Sequence, residues 1–454
     1  MWKTIPALAT AAGLLAASPG ADGVGDPYYP QDGNGGYRVG HYDVRLDYDP
    51  AKPDHLAGDA RISAVATQNL SSFDLDLIGF TVSSVTVNGH AAAFTRTGEH
   101  ELVITPSAAI PCGATMDVRV VYAGTPGFWW FTTDDNGSAQ ALAEPHSATS
   151  WYPVNDTPSD KATFTLTTTV PDGWNVIGNG EPLPPVSHDG RTSYVWRESH
   201  PIASYLTAVV INKFQLETSH LSDGKPVYSA FLPGSDNSRA SAARLPEVID
   251  FLSSKFGPYP FSSAGGIYLT GDGGGGFEVQ ERPFYPNGVT PQYFTDLVHE
   301  NAHQWFGDSV SVTDWRDICV KECFATYAEW LWREVKDGED LDATYRKTLA
   351  EHKNDPAFWQ EPLYNPGADS FYGGSYTVGP LMLHALRRTV GDPAFFHTLR
   401  DFLAQHRYGN ATFADFEKLA AQESKMDLQG FFLAWAHSST VPADKYLYVV
   451  KGKA

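Results

Sequence analysis

From Tyr37 to about Tyr228 the chain alternates apolar and polar residues. Tyr42, Val44, Leu46 and Tyr48 fall on every second position, as do Phe73, Leu75 and Leu77, and Met116, Val118, Val120 and Tyr122. Successive side chains of a strand point to opposite faces, so a period of two predicts strands with one buried face. Asn88-Gly89 lies between Val85-Thr86-Val87 and Phe94, a hairpin signal. Gly and Pro punctuate the rest, and residues 27–232 read as an all-β domain.

After about Ser235 the period lengthens to that of a helix. Leu245 to Phe256 predicts an amphipathic helix, with Pro246 tolerated in its first turn and Gly257-Pro258 ending it. A strand-like Gly266 to Thr270 follows, then the glycine run Gly273 to Gly276. Helical patterns then cover Phe294 to Phe306, Trp315 to Val335, Leu381 to Val390, Pro393 to His406, Phe413 to Ala421 and Leu428 to Ala436. Residues 235–454 are therefore expected to form a second, mostly helical domain. The fold class is α+β, multidomain.

The 454 residues are 42% hydrophobic and 19% charged, as in a folded globular protein. A formal net charge of −21 argues against nucleic acid or an anionic membrane as partner. The first 21 residues stand apart. Lys3 precedes an apolar run, Ile5 to Ala17, too short to span a bilayer and ending in Ser18, Pro19, Gly20 and Ala21. This is the pattern of a signal peptide, and it predicts a secreted protein with no membrane span.

Three cysteines occur, Cys112, Cys319 and Cys323, and an odd count leaves at least one thiol unpaired. No disulfide framework is expected, so a large core must hold the fold. Cys319 and Cys323 flank Glu322 at helical spacing and are expected to pack as small hydrophobes rather than to bind metal.

The chemistry concentrates in His299-Glu300-Asn301-Ala302-His303 and in Glu322. Two imidazoles four residues apart lie on one face of a helix, one turn above the other. That arrangement suits Zn²⁺, which takes neutral imidazole nitrogens and needs a third protein ligand. Eighteen residues separate Glu322 from His303, and Glu322 lies on the next predicted helix, after Gly307 interrupts the first. Its neighbours Cys319, Cys323 and Phe324 make its surroundings apolar, and a carboxylate buried there requires a partner. Glu300, beside the first His, is placed to take a proton from a zinc-activated water. The bare five-residue pattern arises by chance in roughly one chain in forty of this composition, so its surroundings must carry the assignment.

Those surroundings resemble the aminopeptidase N family of gluzincin zinc metallopeptidases. The His-Glu-x-x-His motif continues as Gln304-Trp305-Phe306-Gly307-Asp308, and Glu322 is followed by Phe324-Ala325-Thr326-Tyr327-Ala328-Glu329. Gly275-Gly276-Phe277-Glu278-Val279 stands where the family carries Gly-Ala-Met-Glu-Asn. Glu144-Pro145 and Trp151 to Asp156 resemble a segment of the β domain that reaches into the family's active site. Tyr376-Thr377-Val378-Gly379 resembles the segment with its catalytic tyrosine.

The resemblance implies a saddle-like β-sheet domain followed by a thermolysin-like catalytic domain. It implies one Zn²⁺ held by His299, His303 and Glu322, Glu300 as general base, and Tyr376 as donor to the oxyanion, with Tyr372 as runner-up. It also implies that Glu278, Glu144, Gly275 and Gly276 bind a peptide whose free α-ammonium is held by the two carboxylates.

Three departures stand out. Lys321-Glu322-Cys323 replaces Asn-Glu-Gly, Phe277 and Val279 replace Met and Asn, and Leu142 replaces a frequent Gln. They leave open a thermolysin-type endopeptidase and a catalytically weak zinc-bound binding protein as alternatives to a secreted aminopeptidase.

Overall fold

A computed structural model describes residues 16–132, 137–142, 144–271 and 273–448. The apolar stretch of the expected signal peptide lies almost entirely outside these residues. Among those described, Ser18–Pro19 pairs in parallel with Leu70–Asp76. No described helix is long and apolar enough to cross a membrane.

The period-two region folds as expected. Its main feature is an eight-stranded sheet whose centre is Tyr37–Tyr48, between Leu56–Ala66 and Ala162–Pro171. The pair Tyr37–Tyr48 and Ala162–Pro171 is parallel, and the other pairs of this sheet are antiparallel. Tyr42, Val44, Leu46 and Tyr48 are buried while Asp43, Arg45 and Asp47 face outward, so the alternation is the burial pattern. Asn88 and Gly89 adopt φ of 51° and 78° between Thr81–Val87 and His90–Ala91, the left-handed pair that a tight hairpin requires.

The helical half differs from expectation in its sheet. Gln215–His220 and Pro226–Phe231, expected in the β domain, pair with Ala264–Tyr268 and Phe284–Tyr285 instead. Pro226–Phe231 runs parallel to Ala264–Tyr268, and a parallel neighbour needs a crossover. Helices Asp236–Ala242 and Leu245–Phe256 supply it. By hydrogen bonding these strands belong with the catalytic half, which periodicity alone does not reveal.

Helix Leu245–Phe256 has the expected ends, whereas Phe294–Ala302 stops four residues early and Cys319–Trp332 is preceded by a short 3₁₀ turn at Trp315–Asp317. Helix Leu341–His352 carries no strong sequence signal, because only Leu341, Tyr345 and Leu349 face the core.

The two halves meet through polar groups of the chain itself. Buried Arg282 donates to the carbonyls of Gly178 (2.6 Å) and Gly180 (2.9 Å). Lys161 Nζ donates to the carbonyls of Asp308 (2.6 Å) and Ser309 (3.1 Å), just past the histidine helix. These contacts fix the β domain against the segments that carry Glu278 and His303.

One expectation fails outright. Cys319 and Cys323 form a disulfide, with Cα atoms 4.8 Å apart in the first turns of one helix. The same four-residue spacing that suggested a shared packing face brings the two sulfurs within bonding reach. Cys112 remains a free, exposed thiol.

Candidate active site

Helix Phe294–Ala302 presents His299, and His303 follows at its end with helical dihedrals, φ −58° and ψ −25°. The two rings therefore keep the expected one-turn stagger, and their Nε2 atoms lie 3.2 Å apart. Helix Cys319–Trp332 packs against this one and brings Glu322 Oε2 to 3.5 Å from His299 Nε2 and 3.6 Å from His303 Nε2. His299, His303 and Glu322 thus converge on one point, as expected.

The far side of each ring is already engaged. His299 Nδ1 lies 2.9 Å from Glu329 Oε1, and His303 Nδ1 lies 2.9 Å from the carbonyl of Phe306. Both partners accept hydrogen bonds, so each ring donates through Nδ1 and turns Nε2 toward the other. Glu322 Oε2 is buried and lacks a hydrogen-bond partner. Two facing ring nitrogens and an orphaned carboxylate oxygen are a donor set for a cation, and two imidazoles with one carboxylate suit Zn²⁺. The residues fit the metal. Glu329, seven residues after Glu322 on the same helix, belongs to the expected motif, but its orienting role was not anticipated.

Glu300 is buried beside this point at 6% exposure. Burial raises its carboxyl well above the usual range, His299 opposes that, and Glu278 and Glu322 add to it. A buried carboxyl beside the metal point is placed to exchange protons with a water there. The loop across from it is shaped to the same side chain. A Cβ added to Gly276 would lie 2.6 Å from Glu300 Cγ, so any larger residue there must displace the Glu300 side chain. Gly275, at φ +92°, donates its N–H to Asp296 Oδ2 at 2.6 Å, which ties the loop to the histidine helix. Both glycines border the site as expected, and Asp296 is a holding residue that sequence reasoning missed.

Glu278 and Glu144 also reach the cleft, from segments distant in sequence. The Glu278 segment is held by Gln304, whose Oε1 accepts from the Glu281 N–H at 2.7 Å, and by backbone pairing of Phe277 with Phe284. The structure departs from expectation in what these carboxylates touch. Both are ion-paired to Lys321 Nζ, which also lies 2.9 Å from Glu322 Oε1. Lys321 is fully buried, with its Nζ 5.4 Å from the centre of the Tyr205 ring.

Burial opposes the lysine charge, but Glu144, Glu278 and Glu322 outweigh it and hold Lys321 protonated well above its ordinary range. The carboxylates respond unequally. Burial pushes Glu144 up to about 8 despite Lys321, whereas Lys321 and His303 overcome burial at Glu278 and lower it. At Glu322 burial is likewise overcome, by Lys321 and the two imidazoles, and its carboxyl falls well below the usual range.

Tyr376 stands over the metal position with its ring centre 6.0 Å from that of His299, and Tyr372 packs 5.6 Å from it. Tyr376 is 46% exposed, facing the open cleft. Its hydroxyl is raised above its ordinary range, by desolvation first and then by the Glu322 and Glu144 carboxylates. It is therefore a protonated donor throughout the neutral range. Tyr372 is raised in the same way.

A cation site of two histidines and a glutamate, a buried glutamate beside it and a tyrosine above it define a zinc metallopeptidase of the gluzincin class. Family models agree: the Peptidase M1 N-terminal domain matches residues 39–206 and the Peptidase family M1 domain matches residues 290–435. The chain belongs to the M1 peptidases, the family of aminopeptidase N.

It is 27% identical over 405 residues to aminopeptidase N of Streptomyces lividans, covering 81% of this chain and 46% of that one. It is 25% identical to the glutamyl aminopeptidase of Bitis rhinoceros, covering 70% and 36%. The chain thus spans less than half the length of these curated relatives. A solved M1 zinc metallopeptidase from Deinococcus radiodurans superposes with a TM-score of 0.84 at 28% identity, covering 95% of this chain and all of that one. A variant of that protein has been solved with a Tyr-Ser-Ala substrate, and it superposes with a TM-score of 0.83 at 28% identity, covering 93% and 99%.

Proposed function

We propose that this protein is an exported zinc aminopeptidase that removes the N-terminal residue of peptides. The observation that carries this reading is the juxtaposition of the metal triad and Glu300 with two further buried carboxylates, Glu144 and Glu278. An endopeptidase has no use for such carboxylates beside the metal. Export rests on the apolar N-terminal run alone, and one zinc per chain on the convergence of His299, His303 and Glu322 beside Glu300.

Zinc held by His299, His303 and Glu322 supplies Lewis acidity, polarising a carbonyl oxygen and acidifying water. Glu300 accepts the proton of the attacking water and later delivers it to the leaving amine. The Tyr376 hydroxyl donates to the oxygen on which negative charge develops, a contribution often worth about 3 kcal/mol. Glu329 and the Phe306 carbonyl hold the two rings in the tautomer that leaves Nε2 free. Glu278 and Glu144 close the cleft on the side where the peptide begins, which limits cleavage to the first bond.

The test is incubation of unblocked peptides with the full-length protein, with and without a chelator, followed by identification of the products. Release of single N-terminal residues, abolished by the chelator, is the expected result. Cleavage at internal bonds would replace this reading with the endopeptidase one.

A further inference from the structure

The anchor for a peptide's ammonium already contains an ammonium. Lys321 Nζ touches one oxygen each of Glu144, Glu278 and Glu322, and Glu322 turns its other oxygen toward the two imidazoles. The lysine nitrogen therefore sits one carboxylate away from the metal point, between the two residues that would receive a substrate's α-amine. Its side chain is fully buried, and the Tyr205 ring closes over it.

We propose that Lys321 occupies the α-ammonium subsite and is the residue that sets how strongly this enzyme prefers a free N-terminus. The proposal rests on the aminopeptidase reading for the identity of that subsite.

The charges decide the size of the effect. Without a lysine, Glu278 and Glu144 offer an incoming ammonium both their negative charge and their hydrogen-bonding oxygens. With Lys321 ion-paired to both, a positive charge already sits against them and one oxygen of each is engaged. A substrate ammonium must share or displace these contacts, so most of its charge-assisted binding is lost. Peptides whose N-terminus is acylated lose little, because they never used the anchor. The substrate class then broadens from free-amine peptides toward peptides with neutral N-termini.

Lys321 follows directly from its place on the helix. It precedes Glu322, so its stem leaves the helix beside the metal ligand. Asparagine, the family's residue at this position, is neutral and shorter. It would leave Glu144 and Glu278 unpaired and open to a ligand.

The test measures binding rather than turnover. Zinc-loaded Glu300→Gln protein is titrated calorimetrically with Tyr-Ser-Ala and with N-acetyl-Tyr-Ser-Ala, with Lys321 present and as Lys321→Asn. With Lys321 present, the two affinities should agree within about tenfold, whereas an unoccupied pair of carboxylates would favour the free amine by on the order of 100-fold. Lys321→Asn should tighten binding of the free peptide by at least about tenfold and leave the acetylated one unchanged.

A preference near 100-fold with Lys321 in place would overturn the proposal. So would a Lys321→Asn protein that gains nothing for the free amine. If that variant does not fold, because three carboxylates lose their cation, the ratio measured with Lys321 present decides alone. The position of the cut tests the aminopeptidase reading, and the amine-to-acetyl ratio tests Lys321, so the two fail separately.

Discussion

The two sides of the cleft were built under different constraints. On the metal side every expected ligand is present: two imidazoles converge, a carboxylate completes them, and Glu329 and the Phe306 carbonyl orient the rings. On the anchor side the two expected carboxylates are present, but a lysine has joined them. A metal site tolerates little variation, because the loss of one ligand leaves an uncompensated donor set. An anchor for a charged group can be retuned by one side chain, because only the sum of charges and the free hydrogen-bonding capacity matter. Catalysis and selectivity can therefore change independently in this fold.

The largest expected effect lies on the metal side. His303→Ala should lose most of its zinc by elemental analysis, and its hydrolytic activity with it. Full metal content in that variant would dissolve the contrast between the two sides.

Glu300→Gln should come next. It keeps zinc and fold, and kcat should fall on the order of 1000-fold. Near-normal turnover would assign the proton transfer to another group.

Tyr376→Phe separates the oxyanion donor from its neighbour. Its kcat should drop on the order of 100-fold with KM close to wild type, because the hydroxyl acts on charge that exists only in the transition state. Tyr372→Phe should have the smaller effect, and the reverse order would exchange their roles.

The smallest effect concerns a polar cluster that shares no residue with either side, as a control for stability. His100 is raised to about 9, first by its hydrogen bond to Glu101, against desolvation. A raised histidine favours the folded state while it is protonated in the fold, so this contribution is complete below about pH 6.5 and lost as pH rises toward 9. Melting temperature should therefore fall across that window, and His100→Gln should flatten the fall without changing zinc content. An unchanged slope in the variant would remove His100 as its cause.

The sequence revealed the metal side because its information is local. His299 and His303 are one helical turn apart, and Glu322 opens the next long helix. Glu278 and Glu144 were legible only through resemblance to a family, since nothing in their own neighbourhoods marks them. Lys321 was visible as an exception, but its effect arises from residues 177 and 43 positions away, which meet it only in the folded chain.

The disulfide escaped for the opposite reason. Cys319 and Cys323 have a spacing that packing and bonding share, so spacing could not choose between them. Strands Gln215–His220 and Pro226–Phe231 were recognisable as strands, yet the sheet they join depends on a crossover through helices that follow them.

The most direct test of the central claim is the identity of the first product. The zinc-loaded wild-type protein is given a linear peptide with a free N-terminus, and the fragments are followed by mass spectrometry over time. A zinc aminopeptidase releases the first residue before any other fragment appears, and the chelator stops it. An internal fragment as the first product, or the same fragments with the metal removed, would contradict the account.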